Sequence, residues 1–88
     1  MSAGRRVYSR VDGTLHLAEG DYGFDERLKH WVIRPPGCHA GGIPHHQVEE
    51  HPDGTITVTP SIVLMESDLS GETTKWHGYL TKGEWIQL

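Results

Sequence analysis

The side chains best suited to chemistry in this sequence crowd into one stretch. Cys38, His39, His45, His46 and His51 lie within fourteen residues, and His77 follows later. Thiolate and imidazole are the ligands zinc prefers, usually four of them in a tetrahedron. Cys38 and His46 lie across a Gly/Pro-rich turn that can present both to one ion. His77, beside Trp76, supplies a third ligand if its strand packs alongside, and His39, His45 or a water completes the shell. The candidate metal ligands are therefore Cys38, His46, His77, His45 and His39, with zinc as the candidate cofactor. Ligands taken from a loop and a distant strand would also cross-link a small core. The spacing is not that of a zinc ribbon, which needs paired Cys-x-x-Cys motifs. The competing reading makes these histidines solvated loop and strand residues and Cys38 a small buried hydrophobe. His16 and His30 read as structural, and His51 as a turn-flanking residue.

Other chemistries find less support. Cys38 as a nucleophile needs a base within reach, from His39, His45, His46 or His77, and a third group to orient it. Glu49 and Glu50 are adjacent, so on a strand they point to opposite faces and cannot act jointly on one bond. Gly37, Gly41 and Gly42 do not follow a strand and open a helix, as a phosphate cradle requires. Trp31, Trp76, Trp85 and Tyr79 could stack bases or sugars, but in a chain with one Phe they read first as core and interface residues.

The elements that must position these groups are strands. Three turn signals, Asp12-Gly13, Asp53-Gly54 and Lys82-Gly83, each separate segments rich in residues that favour pleated, half-buried surfaces. Thr55, Thr57 and Thr59 alternate with Ile56 and Val58, and Trp85 and Gln87 alternate with Ile86 and Leu88. Pro60 cannot donate to a ladder and belongs at an edge, a bulge or a strand junction. Residues 61–65 continue as a more fully apolar strand, and 66–74 read as an exposed loop, the segment expected to move most. Residues 25–30 form one or two helical turns at most, with Asp25 as cap. Residues 35–44 are expected to be irregular. The fold class is mainly β: a small antiparallel β-sandwich or partly open barrel built from hairpins, with at most one short helix. It is a single domain over 1–88, with 1–28 an N-terminal hairpin extension and 29–88 the β core.

With 88 residues there is room for one domain, and the strongest apolar residues (Ile, Val, Leu and Phe) number only 19. A chain this short hides about 60–65% of its unfolded surface, so its core is thin and a metal or a partner subunit would help it. The net charge is −4 with the seven histidines neutral, and the only basic cluster is Arg5, Arg6 and Arg10, which disfavours nucleic acid as a partner. One cysteine allows no intrachain disulfide. The N-terminal segment lacks the apolar core of a secretory signal, and no apolar run approaches a membrane span. The expected location is the cytoplasm.

Residues 30–88 resemble a family of small uncharacterised phage and prophage proteins, some of which carry the label "ammonia monooxygenase". In that pattern a strand and Cys-Pro-Gly-Cys are followed by a His, a Pro-Ser stretch, Cys-His-x-Phe-Ile, a Gly turn and a closing strand. Here His30-Trp31-Val32-Ile33-Arg34-Pro35-Pro36-Gly37-Cys38 is similar to the opening, and His45 or His46 to the following histidine. Thr57-Val58-Thr59-Pro60-Ser61-Ile62 is similar to the centre, and 76–86 to the end. Pro35 and Trp76 stand where the family has cysteines, so the resemblance carries over only Cys38, His45 or His46, and His77 as ligands. It implies a phage or mobile-element origin, host cytoplasm as the location, and no particular activity.

The functional expectation is a non-enzymatic module that binds a protein partner or self-associates as a homodimer, with a structural zinc. The alternative is a small metal-dependent enzyme whose His/Cys site leaves a position open for an activated water. A third reading is a pH-responsive binder driven by its histidines.

Overall fold

The structure, a computed structural model, describes residues 2–88. Met1, the first residue of the expected N-terminal extension, lies outside the described residues, as does the side chain of Asp68. Among the described residues every regular element is a strand: β1 (Ser2–Ala3), β2 (Arg5–Arg6), β3 (Asp21–Asp25), β4 (His30–Ile33), β5 (Gly41–Gly42), β6 (Gln47–Glu50), β7 (Ile56–Asp68), β8 (Gly71–Thr81) and β9 (Glu84–Gln87). They form two sheets, β1-β9-β8-β7-β6 and β2-β3-β4-β5, antiparallel throughout except where β2 runs parallel to β3. The mainly β architecture holds, as two open sheets and not a closed barrel.

One cluster of buried side chains fills the space between the sheets. Tyr22 and Ile33 come from the smaller sheet, and Ile56, Val58, Ile62, Leu64, Trp76, Leu80 and Trp85 from the larger. Cys38 and Ile43 arrive from the connecting loop. Trp85 is the hub. Its ring meets Trp76 edge-to-face at 5.5 Å and Tyr22 at 6.4 Å, while its indole N–H donates to Gly20 O at 2.9 Å. Edge-to-face packing sets the positive rim of one ring on the negative face of the next.

Two of the three expected hairpins form as the turn chemistry dictates. Asp53 Oδ1 accepts from the Thr55 N–H and hydroxyl and closes β6 onto β7. Lys82 and Gly83 both take positive φ, 47° and 77°, the pair of left-handed residues that a tight β8–β9 turn needs. A Cβ on Gly83 would lie 2.8 Å from the Tyr22 hydroxyl, so only glycine fits there. Asp12-Gly13 also turns, with Arg10 N–H donating to Thr14 O at 2.7 Å, but no hairpin flanks it. This corrects the expected N-terminal hairpin. Ser2–Ala3 pair with β9 and Arg5–Arg6 with β3, so the first residues belong to both sheets. Gly4, between them, passes so close to Trp85 and Tyr22 that a Cβ would lie 2.8 Å from each.

Two further expectations are corrected. Residues 25–30 are not helical. Asp25 does cap, accepting from the N–H groups of Arg27 and Leu28, but it closes a four-residue hairpin turn. Phe24 and Trp31, on either side of that turn, are cross-strand partners in edge-to-face contact at 5.6 Å. Residues 66–74 are not a loop. β7 and β8 continue through them as a two-stranded ribbon, with Glu66 opposite Thr73 and Ser67 opposite Glu72, turning at Leu69-Ser70. β-branched threonines keep the backbone extended there even though neither face is apolar. Pro60 sits, as expected, in an irregularity where β7 gains residues on β8 between Val58 and Ile62.

Candidate functional site

The expected ligands separate into two groups. In the first, Cys38 and His39 occupy the irregular 35–39 loop. The loop is held by Cys38 N–H donating to Pro35 O at 3.1 Å and by Arg34 Nε donating to Cys38 O at 2.9 Å. Arg34 also reaches Leu17 O at 3.0 Å. Cys38 is 5% exposed, and its Sγ lies 3.7 Å from His39 Nδ1. The pair borders an open groove of about 590 Å³ between this loop and the ribbon, lined also by Glu19, Met65, Glu66 and Lys75. A second bulge, between Leu64 and Met65, re-aims the strands where the ribbon leaves the body.

In the second group, His46 and His77 meet at one serine on β7. His46 Nε2 lies 3.2 Å from Ser61 O, and His77 Nε2 lies 3.3 Å from Ser61 Oγ. β6 covers β7 only as far as the Gln47–Thr59 pair, so the His46 ring binds the carbonyl just beyond the end of that ladder. His77 stands on the outer face of the larger sheet, because its neighbours Trp76 and Gly78 point inward. Val63 is its cross-strand partner on β7, and Leu88, whose N–H donates to His77 O at 2.9 Å, flanks it on the other side. In the next row Tyr79 pairs with Ile86. Val63, Tyr79 and Leu88 are 47%, 39% and 66% exposed.

His45 is exposed and belongs to neither group. Among the described residues no three His, Cys, Asp or Glu side chains gather as a metal shell. The donors carried over by resemblance do not fit a zinc site in this arrangement: Cys38 is turned to His39, while the His46 and His77 nitrogens are engaged at Ser61.

Compared with protein-family models, with curated proteins and with solved structures, the chain finds no match.

The remaining candidates have structural partners. His30 Nδ1 lies 3.1 Å from Trp31 O, and His51 Nε2 lies 2.7 Å from Thr57 Oγ1 beside its turn. The N-terminal arginines are largely engaged. Arg5 forms a two-pronged pair with buried Asp21, whose hydrogen bond and charge raise the guanidinium above its ordinary value. Arg6 bonds Glu50 and Gly54 O and stacks on Tyr8 and Trp31. Trp76 and Trp85 are core, and only Tyr79 of the four candidate stacking aromatics lies openly on the surface. One feature escaped the sequence reading, the apolar rows around His77. It had a signal, since residues 62–65 are apolar on both faces of a strand whose sheet has only one covered side.

Proposed function

We propose that this chain is a non-enzymatic module of phage type that works by binding protein, in the first place a second copy of itself, through the outer face of its larger sheet. One observation carries the reading. Val63, His77 and Leu88 stand in one cross-strand row and Tyr79 and Ile86 in the next, so apolar side chains adjoin one another in water. Contiguous exposed apolar surface marks interaction sites, and a tyrosine at its middle suits a binding hot spot. Burying this face would also supplement a core that draws on few residues. The resemblance to small phage proteins agrees with such a role in the host cytoplasm. The described residues include no helix long and apolar enough to cross a membrane. A metal-dependent enzyme would need several ligands on one ion, and no such trio gathers among them.

Sedimentation velocity tests the proposal. The wild-type chain is expected to sediment as a dimer that dissociates on dilution, and Val63→Glu and Tyr79→Ser as monomers with unchanged circular dichroism. A wild-type chain that stays monomeric at the highest attainable concentration would overturn self-association.

A further inference from the structure

We propose, on the self-association reading, that two copies meet about a two-fold axis running between the exposed rows, with each Tyr79 hydroxyl donating to His77 of the other copy. Pairs of identical chains are mostly isologous, so that one patch meets itself and residue i touches j as j touches i. Such a patch must carry its own complements, and this one does. Tyr79 is 39% exposed, and its hydroxyl has no hydrogen-bond partner among the described residues. His77, two residues earlier on β8, spends Nε2 on Ser61 Oγ at 3.3 Å, and its Nδ1 has no partner. The neutral tautomer that donates from Nε2 leaves Nδ1 a bare acceptor. A free donor and a free acceptor thus stand in neighbouring rows, about 7 Å apart along the strand. An axis midway between the rows lays each over the other. Sheets stacked face to face are about 10 Å apart, a gap that a tyrosine from one side and an imidazole from the other fill together. Any other register would bury both groups unpaired, at a cost. Val63 and Leu88 flank His77 and Ile86 flanks Tyr79, so apolar surface closes round both contacts.

The surroundings of His77 leave an imidazolium without support. Ser61 and Val63 adjoin it from β7, and Leu88, with its carboxylate, from the end of β9. Lys75 and Tyr79 lie two residues to either side on β8, and His46 reaches the carbonyl of the same Ser61. Among the described residues no carboxylate forms an ion pair with His77, and Glu66 is held by Lys75 at 3.6 Å. Protonation would remove the acceptor and set an unpaired charge inside the interface. The free chain therefore takes up a proton that the paired chain excludes. Association is complete at higher pH and is lost as pH falls through the histidine range.

Sedimentation equilibrium of the full-length protein at pH 7.5 and pH 5.5 tests the contact. The variants are Tyr79→Phe, His77→Leu and the two together, which keep the apolar area of the face, with circular dichroism to show that each is folded. At pH 7.5 each single variant should raise the dimer dissociation constant by about tenfold, the scale of hydrogen bonds lost from a buried contact. The double variant should be no weaker than either single one, because the two groups share one bond. The wild-type dissociation constant should rise at least tenfold between pH 7.5 and pH 5.5, since an unpaired charge is then buried. His77→Leu should remove that response, and His46→Ala should keep it. A wild-type chain monomeric at both pH values overturns self-association and this contact with it. A wild-type dimer that Tyr79→Phe matches in affinity, effects that add in the double variant, or a pH response that survives in His77→Leu overturns the contact alone and leaves self-association standing.

Discussion

Arg6 shows how much one side chain does in a small fold. Its guanidinium lies 4.5 Å from the Tyr8 ring centre and 4.7 Å from that of Trp31, and its Nη1 reaches Glu50 at 2.7 Å and Gly54 O at 2.9 Å. It therefore ties the smaller sheet to the β6–β7 hairpin of the larger one. A lysine keeps the charge but loses the planar stack and the forked donor geometry. Arg6→Lys should cost about 1–2 kcal/mol, the combined scale of a partly desolvated cation–π contact and a hydrogen bond. Urea denaturation checks this, and an unchanged midpoint would refute it. Nothing in the sequence separates Arg6 from Arg5 or Arg10, because Glu50 and Gly54 are more than forty residues away. The candidate ligands show the same limit. Types and spacing picked out Cys38, His39, His46 and His77, whereas the meeting of His46 and His77 depends on Ser61, in the irregular stretch of β7 between Val58 and Ile62.

At the scale of elements, local chemistry was legible and long-range pairing was not. Asp53-Gly54 and Lys82-Gly83 announce their hairpins because a tight turn selects residues that accept positive φ or cap it. Asp12-Gly13 announces a turn equally well, but Arg6, at the start of its first flank, pairs with β3 instead, and the second flank forms no strand. The ribbon beyond Leu64 was hidden because both its faces are polar, which erases the period of two that betrays a strand. Gly78, in the middle of β8, carries a testable consequence of close strand packing. A Cβ there would collide with Ile86 O and lie 2.7 Å from the Trp76 ring and 2.9 Å from Gln87 Cα. Gly78→Ala must push β9 outward and should destabilise by about 1–3 kcal/mol, the cost of overpacking. The displaced strand should also weaken the dimer, since Ile86 and Leu88 lie on or just beyond β9. A denaturation midpoint equal to wild type would show that the strand shifts freely.

For the molecule as a whole, pH dependence follows from Tyr22, which lies in the core against Trp85. Burial pushes its hydroxyl above the ordinary value of 10.0, so the native chain keeps a proton that the unfolded chain releases. Tyr22 therefore contributes stability that is complete below pH 10 and is lost as pH rises through the folded-state value. Denaturation midpoints followed from neutral pH to beyond pH 10 should fall in wild type, and Tyr22→Phe should remove the Tyr22 part of that fall. Equal slopes in the two proteins would exclude it. The N-terminal strap has a consequence for biosynthesis. Ser2–Ala3 pair with residues of β9, some eighty positions later in the sequence. A chain emerging from the ribosome can close the β3–β4 and β6–β7 hairpins early, but its first residues have no partner until β9 has left the exit tunnel. That seam of the sandwich is sewn only once β9 has emerged, and until then the Trp85 hub and the edge that receives the strap do not exist.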